Sequence, residues 1–269
     1  MIHTEKKIAV LIDAENTQLS SLEAILSEIA KKGYVIVKRA YGDWSSAHLK
    51  NWKQTLNELA VQPIQQFSYT TGKNSSDAAM IIDAMDLLYS DKFDAFALIS
   101  SDSDFTKLAT RLKESQIIVF GVGERKTPVA FRNACDDFIY IDVLKTLDTE
   151  EATEETDNEV VINSKESQTV QADTPLKKGR KQLCQDTKLI SLLRNAAEEC
   201  SGDDGWSSLS VSGSLIKRQY PDFDPRNYGY SKLSTIIKTT ELFEIKEQKT
   251  KGTNGRKLFY RDNKKHKHN

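Results

Sequence analysis

The amino-acid sequence predicts an α/β fold, a parallel sheet flanked by helices, followed by a small winged helix-turn-helix domain. Nearly continuous apolar runs, such as Ile8–Ile12 (IAVLI) and Ile117–Val122 (IIVFGV), are typical of parallel strands that are buried on both faces. Segments with helical spacing of apolar residues lie between these runs, which favours a sheet with helices on both sides. In the C-terminal part, three short helical patterns followed by a hairpin pattern indicate a winged helix.

Strands and helices are expected to alternate over the N-terminal part of the chain. The helix Asp77–Tyr89 should start at a cap formed by Ser75 or Ser76. It should bury a broad apolar face made of Ala78, Ile81, Ile82, Met85, Leu88 and Tyr89. The predicted strands are Ile8–Ile12, Val35–Tyr41, Val61–Phe67, Phe93–Ile99, Ile117–Val122 and Phe138–Ile141, and the other predicted helices are Leu19–Lys31, Ser46–Leu59, Phe105–Lys113 and Val129–Ala134.

The middle of the chain has the composition of a linker. Asp148–Glu159 holds seven acidic residues and no Lys or Arg, and the segment has little apolar periodicity up to a basic cluster at Lys177–Lys181. We therefore expect one domain at residues 1–147, a disordered linker at 148–184 and a second domain at 185–263. The expected elements of the second domain are helices at Asp186–Glu199, Val211–Gln219 and Lys232–Thr239, a strand at Leu242–Ile245 and a return strand in GRKLFYRD.

Composition limits the possible classes of protein. The 269 residues carry a net charge of −1, with an acidic middle and a basic C-terminal part, which indicates an anionic partner for the latter. The three cysteines are scattered, so neither a zinc site nor a disulfide framework is indicated. We find no apolar signal core and no run of membrane-spanning length, so we expect a cytoplasmic protein with no membrane association.

Acidic residues occur where predicted strands end. Asp13 ends the first strand, Asp102 and Asp104 follow the strand that ends at Ile99, and Asp77 opens the helix before that strand. In open parallel sheets, ligands bind beyond the carboxyl ends of the strands, so these carboxylates should converge there. Clustered carboxylates repel each other and favour a cation, and oxygen ligands suit Mg²⁺ or Mn²⁺. The absence of a nearby histidine argues against zinc, and phosphodiester hydrolysis is the most natural chemistry for such a centre.

Simpler interpretations of these residues remain open. Asp13 would cap the helix that starts at Leu19, and Asp104 would cap the helix that starts at Phe105. We interpret Glu15, Asp83 and Asp86 as solvated charges on helix surfaces. The chain has no dinucleotide fingerprint after its first strand, no phosphate-binding loop motif and no nucleophile elbow, which leaves few other α/β chemistries.

Four motifs, in order, resemble the NYN domain of bacterial LabA-like proteins, a branch of the PIN-like nuclease superfamily. They are VLIDAENTQ, GKNSSDAAMIIDAMDLLY, ALISSDSDFTKLATRLKESQIIVFGVG and FRNACDDFIYID. The resemblance implies a PIN-like fold and a metal-dependent ribonuclease site. It assigns Asp13 and Asn16 to the first motif, Asp77 to the start of the central helix, and Asp102 and Asp104 to the S-x-D-S-D-F element. Ser101 stands where the family often has Gly.

A later segment, GWSSLSVSGSLIKRQYPDFDPRNYGYSKLSTIIKTTELFEIKE, resembles the OST-HTH or LOTUS domain. We therefore expect an Mg²⁺- or Mn²⁺-dependent endoribonuclease in RNA processing or decay. Asp13, Asp77, Asp102 and Asp104 would be metal ligands, with Asn16 orienting a phosphate or a water. The alternatives are a non-catalytic RNA-binding adaptor and a DNA-binding regulator, and a homodimer or RNA-decay partners are also expected. The candidate RNA contacts are Lys73, Lys217, Arg218, Lys232, Lys238, Arg256, Lys257, Tyr228 and Tyr230.

Overall fold

The computed structural model describes residues 5–67, 75–145, 177–249 and 256–263. The chain divides into two compact units, one before and one after residues 174–175. Within the described residues, none of the helices is long and apolar enough to cross a membrane.

The N-terminal unit is built on a six-stranded sheet in which every neighbouring pair is parallel. The strand order is β3-β2-β1-β4-β5-β6, so the first strand along the chain lies in the middle of the sheet and pairs with both β2 and β4. This confirms the predicted parallel α/β fold. The strands are β1 Lys7–Asp13, β2 Tyr34–Gly42, β3 Gln62–Gln65, β4 Ala95–Ile99, β5 Ile118–Gly123 and β6 Asp137–Tyr140.

Helices cover both faces of this sheet. Alternate residues of β1 point to opposite faces, which explains its continuous apolar sequence: Val10 joins the core under α1 and α2, and Leu11 joins the core under α3, α4 and α5. Short 3-10 turns precede α1, α2 and α4, where the sequence predicts continuous helix. The helices are α1 Leu22–Ala30, α2 Trp52–Glu58, α3 Ser75–Tyr89, α4 Thr106–Glu114, α5 Val129–Ala134 and α6 Ile141–Lys145.

Helix α3 presents a different face to the core from the one predicted. Met80 and Ala84 are fully buried, whereas Ile82 is 63% exposed and Tyr89 is 71% exposed. The helix already includes Ser75 and Ser76, so neither is the residue before its start. The apolar residues of α3 form two adjacent stripes, and only the stripe through Met80, Ala84 and Leu88 contacts the sheet.

The C-terminal unit has the winged-helix order of elements, as predicted. Three helices enclose a core with Leu193, Ile216 and Ile237, closed by a three-stranded antiparallel sheet of order β7-β9-β8. The elements are α7 Arg180–Gln185, α8 Thr187–Glu199, β7 Ser207–Ser208, α9 Leu209–Gln219, α10 Leu233–Thr240, β8 Phe243–Lys249 and β9 Arg256–Asp262.

The C-terminal unit starts earlier than the sequence predicts. Residues 177–184 fall in the predicted linker, but α7 is an ordered helix and its Leu183 is fully buried in the core. Lys177 lies against Gly229, where an added Cβ would come within 2.5 Å of the Lys177 backbone. Gly229 also has a φ of +77°, so both space and conformation require glycine there. The rest of the predicted linker lies outside the described residues.

Candidate active site

The candidate site lies where β1 and β4 end side by side. Ile12 pairs with Ile99 in parallel register, so Asp13 and Ser100 leave the sheet at the same edge. The crossover connections change direction between these two strands, and in open α/β sheets this switch point is the usual ligand site.

Asp13 is buried and held by three hydrogen bonds. Its Oδ2 accepts from the hydroxyl of Ser100 over 2.7 Å and from Nδ2 of Asn16 over 2.8 Å. Its Oδ1 accepts from the backbone N–H of Asn16 over 3.2 Å. Burial raises the pKa of Asp13, and these hydrogen bonds oppose that rise because they stabilise the carboxylate.

Three further carboxylates converge beside Asp13. Asp77 is buried in the first turn of α3, Asp102 is partly buried and Asp104 is exposed. One carboxylate oxygen from each lies within 4.8 Å of the others. The hydroxyl of Ser100 accepts from the N–H of Asp102, and Oδ1 of Asp102 accepts from the N–H of Asp104, so the loop after β4 fixes both residues.

The electrostatics of this group favour a cation. Burial raises the pKa of Asp77 to about 7, and the neighbouring charges of Asp13, Asp102, Glu15 and Asp104 raise it further in that order. Every interaction that shifts Asp77 therefore opposes its ionisation. A divalent cation would reverse this effect, and three carboxylate oxygens within bridging distance are the donors that Mg²⁺ and Mn²⁺ prefer. The residues present thus fit the expected metal.

Glu15 and Ser100 belong to the site but were not among the predicted site residues. The Glu15 carboxylate accepts from the hydroxyl of Ser76 over 3.1 Å and from the N–H of Asp43 over 3.3 Å, which joins β1 to α3 and to the end of β2. Ser100 joins Asp13 to Asp102. Their positions directly after strands are the signal in the sequence that would have pointed to them.

Two of the simpler interpretations are wrong in detail. Asp102, rather than Asp104, caps the turn after β4, and Gln18, rather than Asp13, precedes the turn at Leu19. Asp83 is no solvated charge, because it accepts from Arg39 and from the hydroxyl of Tyr41 in a partly buried ion pair. Asn16 donates to Asp13, so its predicted contact with a phosphate or a water stays a prediction.

The basic candidates of the C-terminal unit lie on α9, α10 and the β8–β9 hairpin. Lys217 and Lys232 line one groove between α9 and α10, with a volume of about 670 Å³. Exposed positions are also found for Arg218, Lys238, Arg256 and Lys257, and Arg256 faces Glu247 at 3.5 Å. The structure thus brings together Lys217 and Lys232 from different helices.

The two tyrosines serve the fold. Tyr230 is 5% exposed and its hydroxyl donates to the carbonyl of Lys178 over 2.6 Å, so it offers no ring face to a base, contrary to the prediction. Tyr228 is partly buried, with its ring 6.1 Å from that of Phe223 and 4.8 Å from Nζ of Lys178. Lys73 lies outside the described residues.

A protein-family model for the NYN domain matches residues 7–142, half of the chain, and includes all the carboxylates of the site. The chain belongs to the NYN domain family. NYN domains are nuclease-type domains of the PIN-like superfamily. A second model, for the OST-HTH/LOTUS domain, matches residues 184–254, and this is an RNA-binding type of domain.

Solved structures similar to this NYN protein come from two bacteria. A crystal structure of a protein of unknown function from Vibrio parahaemolyticus is 19% identical, with a TM-score of 0.45, covering 52% of this chain and 96% of the other. A solution structure of an uncharacterised protein from Nitrosomonas europaea is 30% identical, with a TM-score of 0.25, covering 40% and 91%. No functionally curated protein matches the chain closely.

Proposed function

We propose that the NYN domain is an Mg²⁺- or Mn²⁺-dependent endoribonuclease and that the OST-HTH domain binds its RNA substrate. The convergence of Asp77, Asp102 and Asp104 beside the buried Asp13 is the observation on which the proposal rests. The pairing of a nuclease-type domain with an RNA-binding type of domain in one chain supports RNA as the substrate.

The chain's own residues would divide the work. Asp77, Asp102 and Asp104 would hold the metal directly, because their oxygens already lie within 4.8 Å of one another. Asp13 would act on the same ion directly or through a water, and Ser100 and Asn16 orient its carboxylate. When bound, the metal lowers the pKa of a coordinated water and stabilises negative charge on a phosphate.

The OST-HTH domain would supply affinity through phosphate contacts. Lys217 and Lys232, on the same groove, are the first candidates, with Arg218, Lys238, Arg256 and Lys257 as further ones. Such contacts release counterions from the nucleic acid, so they make binding depend on salt rather than on base sequence.

The test is an RNA cleavage assay with the full-length protein. Labelled single-stranded and structured RNAs are incubated with Mg²⁺, Mn²⁺ or EDTA, and wild type is compared with Asp102→Asn. The matched control is Asp86→Asn, an exposed carboxylate on α3. Cleavage that requires metal, falls in Asp102→Asn and persists in Asp86→Asn supports the proposal. RNA binding without cleavage in either metal would instead identify a non-catalytic adaptor.

A further inference from the structure

A separate cleft opens next to the acidic cluster, between the end of β1 and the start of α2. Its volume is about 530 Å³, within the range of small-molecule sites. Leu19, Leu49 and Trp52 provide apolar wall, and Glu15, His48 and Asn51 provide polar groups.

The cleft and the acidic cluster share Glu15. Its carboxylate lines the cleft, accepts from Ser76 next to Asp77, and contributes to the raised pKa of Asp77. A ligand in the cleft would therefore lie beside the residues that we propose hold the metal and the scissile phosphate.

The polar side chains of the cleft have unused hydrogen-bonding capacity. Among the residues that the structure describes, none hydrogen-bonds the imidazole of His48, the amide of Asn51 or the indole N–H of Trp52. Asn51 immediately precedes α2, yet its side chain makes no capping bond there. Trp52 is 3% exposed, so its ring is fixed while its N–H has no acceptor in the described chain.

The charge around the cleft suits an RNA strand. Residues 44–57 include Lys50 and Lys53 and contain no Asp or Glu. Both lysines are exposed beside the cleft-lining Asn51 and Trp52, where they would meet phosphates on either side of a bound nucleotide.

We propose that this cleft binds the base of the nucleotide adjoining the scissile phosphate, an inference that rests on the proposed action on RNA. Asn51 and His48 would contact the base edge, and the apolar wall would contact its face. A carboxylate has about four lone-pair sites, and Ser76 and Asp43 use one on each oxygen of Glu15. The remaining sites match the adjacent N1–H and N2–H donors of guanine, so guanosine 5′-monophosphate is the probe of choice.

The three tryptophans allow a direct test of binding. Trp44 and Trp52 lie together near the cleft with ring centroids 6.1 Å apart, and Trp206 lies in the other unit as an internal control. Full-length protein is labelled with 5-fluorotryptophan, its three signals are assigned with single Trp→Phe variants, and the nucleotide is titrated in EDTA. We expect the Trp52 signal to move to saturation while the Trp206 signal stays still, and ribose 5-phosphate to move neither.

Variants separate this site from other binding. The double variant His48→Ala/Asn51→Ala should bind the nucleotide at least about tenfold more weakly, since two hydrogen bonds are lost. Lys92→Ala, an exposed lysine just before β4 at the opposite edge of the sheet, should bind like wild type. An immobile Trp52 signal up to about 10 mM nucleotide, an equal shift with ribose 5-phosphate, or unchanged affinity in the folded double variant would each overturn the inference. The titration needs neither metal nor cleavage, so loss of the nuclease proposal alone would leave a positive result standing.

Discussion

The hydroxyl of Ser100 donates to Oδ2 of Asp13 over 2.7 Å, so the residue after β4 is bonded to the last residue of β1. The same oxygen of Ser100 accepts from the N–H of Asp102. One serine therefore positions the buried carboxylate and the start of the loop that carries the other two acidic residues.

Replacing Ser100 with alanine should destabilise the protein and raise the pKa of Asp13 further. The ionised carboxylate loses a buried donor, a loss of about 1.5–3 kcal/mol in the free energy of unfolding. Urea denaturation at pH 7.5 measures the loss, which should shrink at low pH, where Asp13 is protonated. Ser90→Ala, which removes a hydroxyl that donates to a carbonyl outside the site, is the control. An equal effect of pH on the two variants would contradict the expectation.

The raised pKa of Asp77 should make stability fall as pH rises. Its pKa is about 7 in the folded chain against 3.8 ordinarily, so the folded state binds more protons between these values. The free energy of unfolding should therefore decrease from about pH 4 to pH 7. Denaturation of the metal-free protein across this range should show the slope, with Asp77→Asn reducing it and Asp86→Asn leaving it intact. A slope that is the same in Asp77→Asn and wild type would count against this assignment.

Removing one carboxylate of the cluster should weaken metal binding. Asp104→Asn deletes a charged oxygen ligand, and we expect Mn²⁺ affinity to fall at least ten- to a hundredfold, by comparison with losses seen for residues that only support ligands. Calorimetric titration of full-length protein measures the affinity, again with Asp86→Asn as the control. Equal affinities in wild type and Asp104→Asn would exclude Asp104 as a ligand.

Variants of the two units should have opposite effects. Lys217→Ala with Lys232→Ala should weaken RNA binding and reduce the salt slope by about 0.7 per lost contact to a single strand, while leaving cleavage at saturating RNA nearly unchanged. Asp13→Asn should retain RNA binding and lose metal-dependent cleavage. Binding across a salt series and single-turnover cleavage are measured on the same RNA, with Lys92→Ala as a control. Loss of cleavage in both variants at saturating RNA would show that the two roles are not separate.

The start of the C-terminal unit can be tested through Leu183. Because this side chain is fully buried, Leu183→Ala should cost about 2–5 kcal/mol in the stability of that unit. Val211→Ala, at a 53% exposed position, should cost far less. Denaturation followed by Trp206 fluorescence in a variant lacking the other tryptophans reports this unit. Similar midpoints for both variants would mean that α7 adds little to the fold.

The sheet could be predicted from the sequence because its strands are continuous apolar runs, which only burial on both faces explains. Helix α3 shows the limit of that approach. Its apolar residues are consistent with two faces, and the choice of Met80 and Ala84 over Ile82 and Tyr89 depends on how the helix packs against β1 and β2. Leu183 was missed because a single apolar residue in a basic segment has no periodicity.

The acidic cluster was predictable because strand ends and motif order both point to it. Its supports were harder to predict. Glu15 and Ser76 are 61 residues apart and Asp13 and Ser100 are 87 apart, so their hydrogen bonds depend on strand order rather than on local pattern. Tyr230 has an aromatic ring that suits stacking on a base, and only its bond to the carbonyl of Lys178 shows that it is committed to the core.

The central position of β1 also affects how the N-terminal unit folds. Ile12 must pair with Ile99, so during synthesis β1 waits for most of the unit to emerge from the ribosome before its second neighbour exists. Contacts between residues so distant along the chain slow folding, because the entropy of the intervening loop is lost before the contact forms. Deleting residues up to Ile12 would remove the strand to which both halves of the sheet are joined. The chain order that brings the carboxylates to one edge thus also makes the earliest strand the last to be fully paired among β1, β2 and β3.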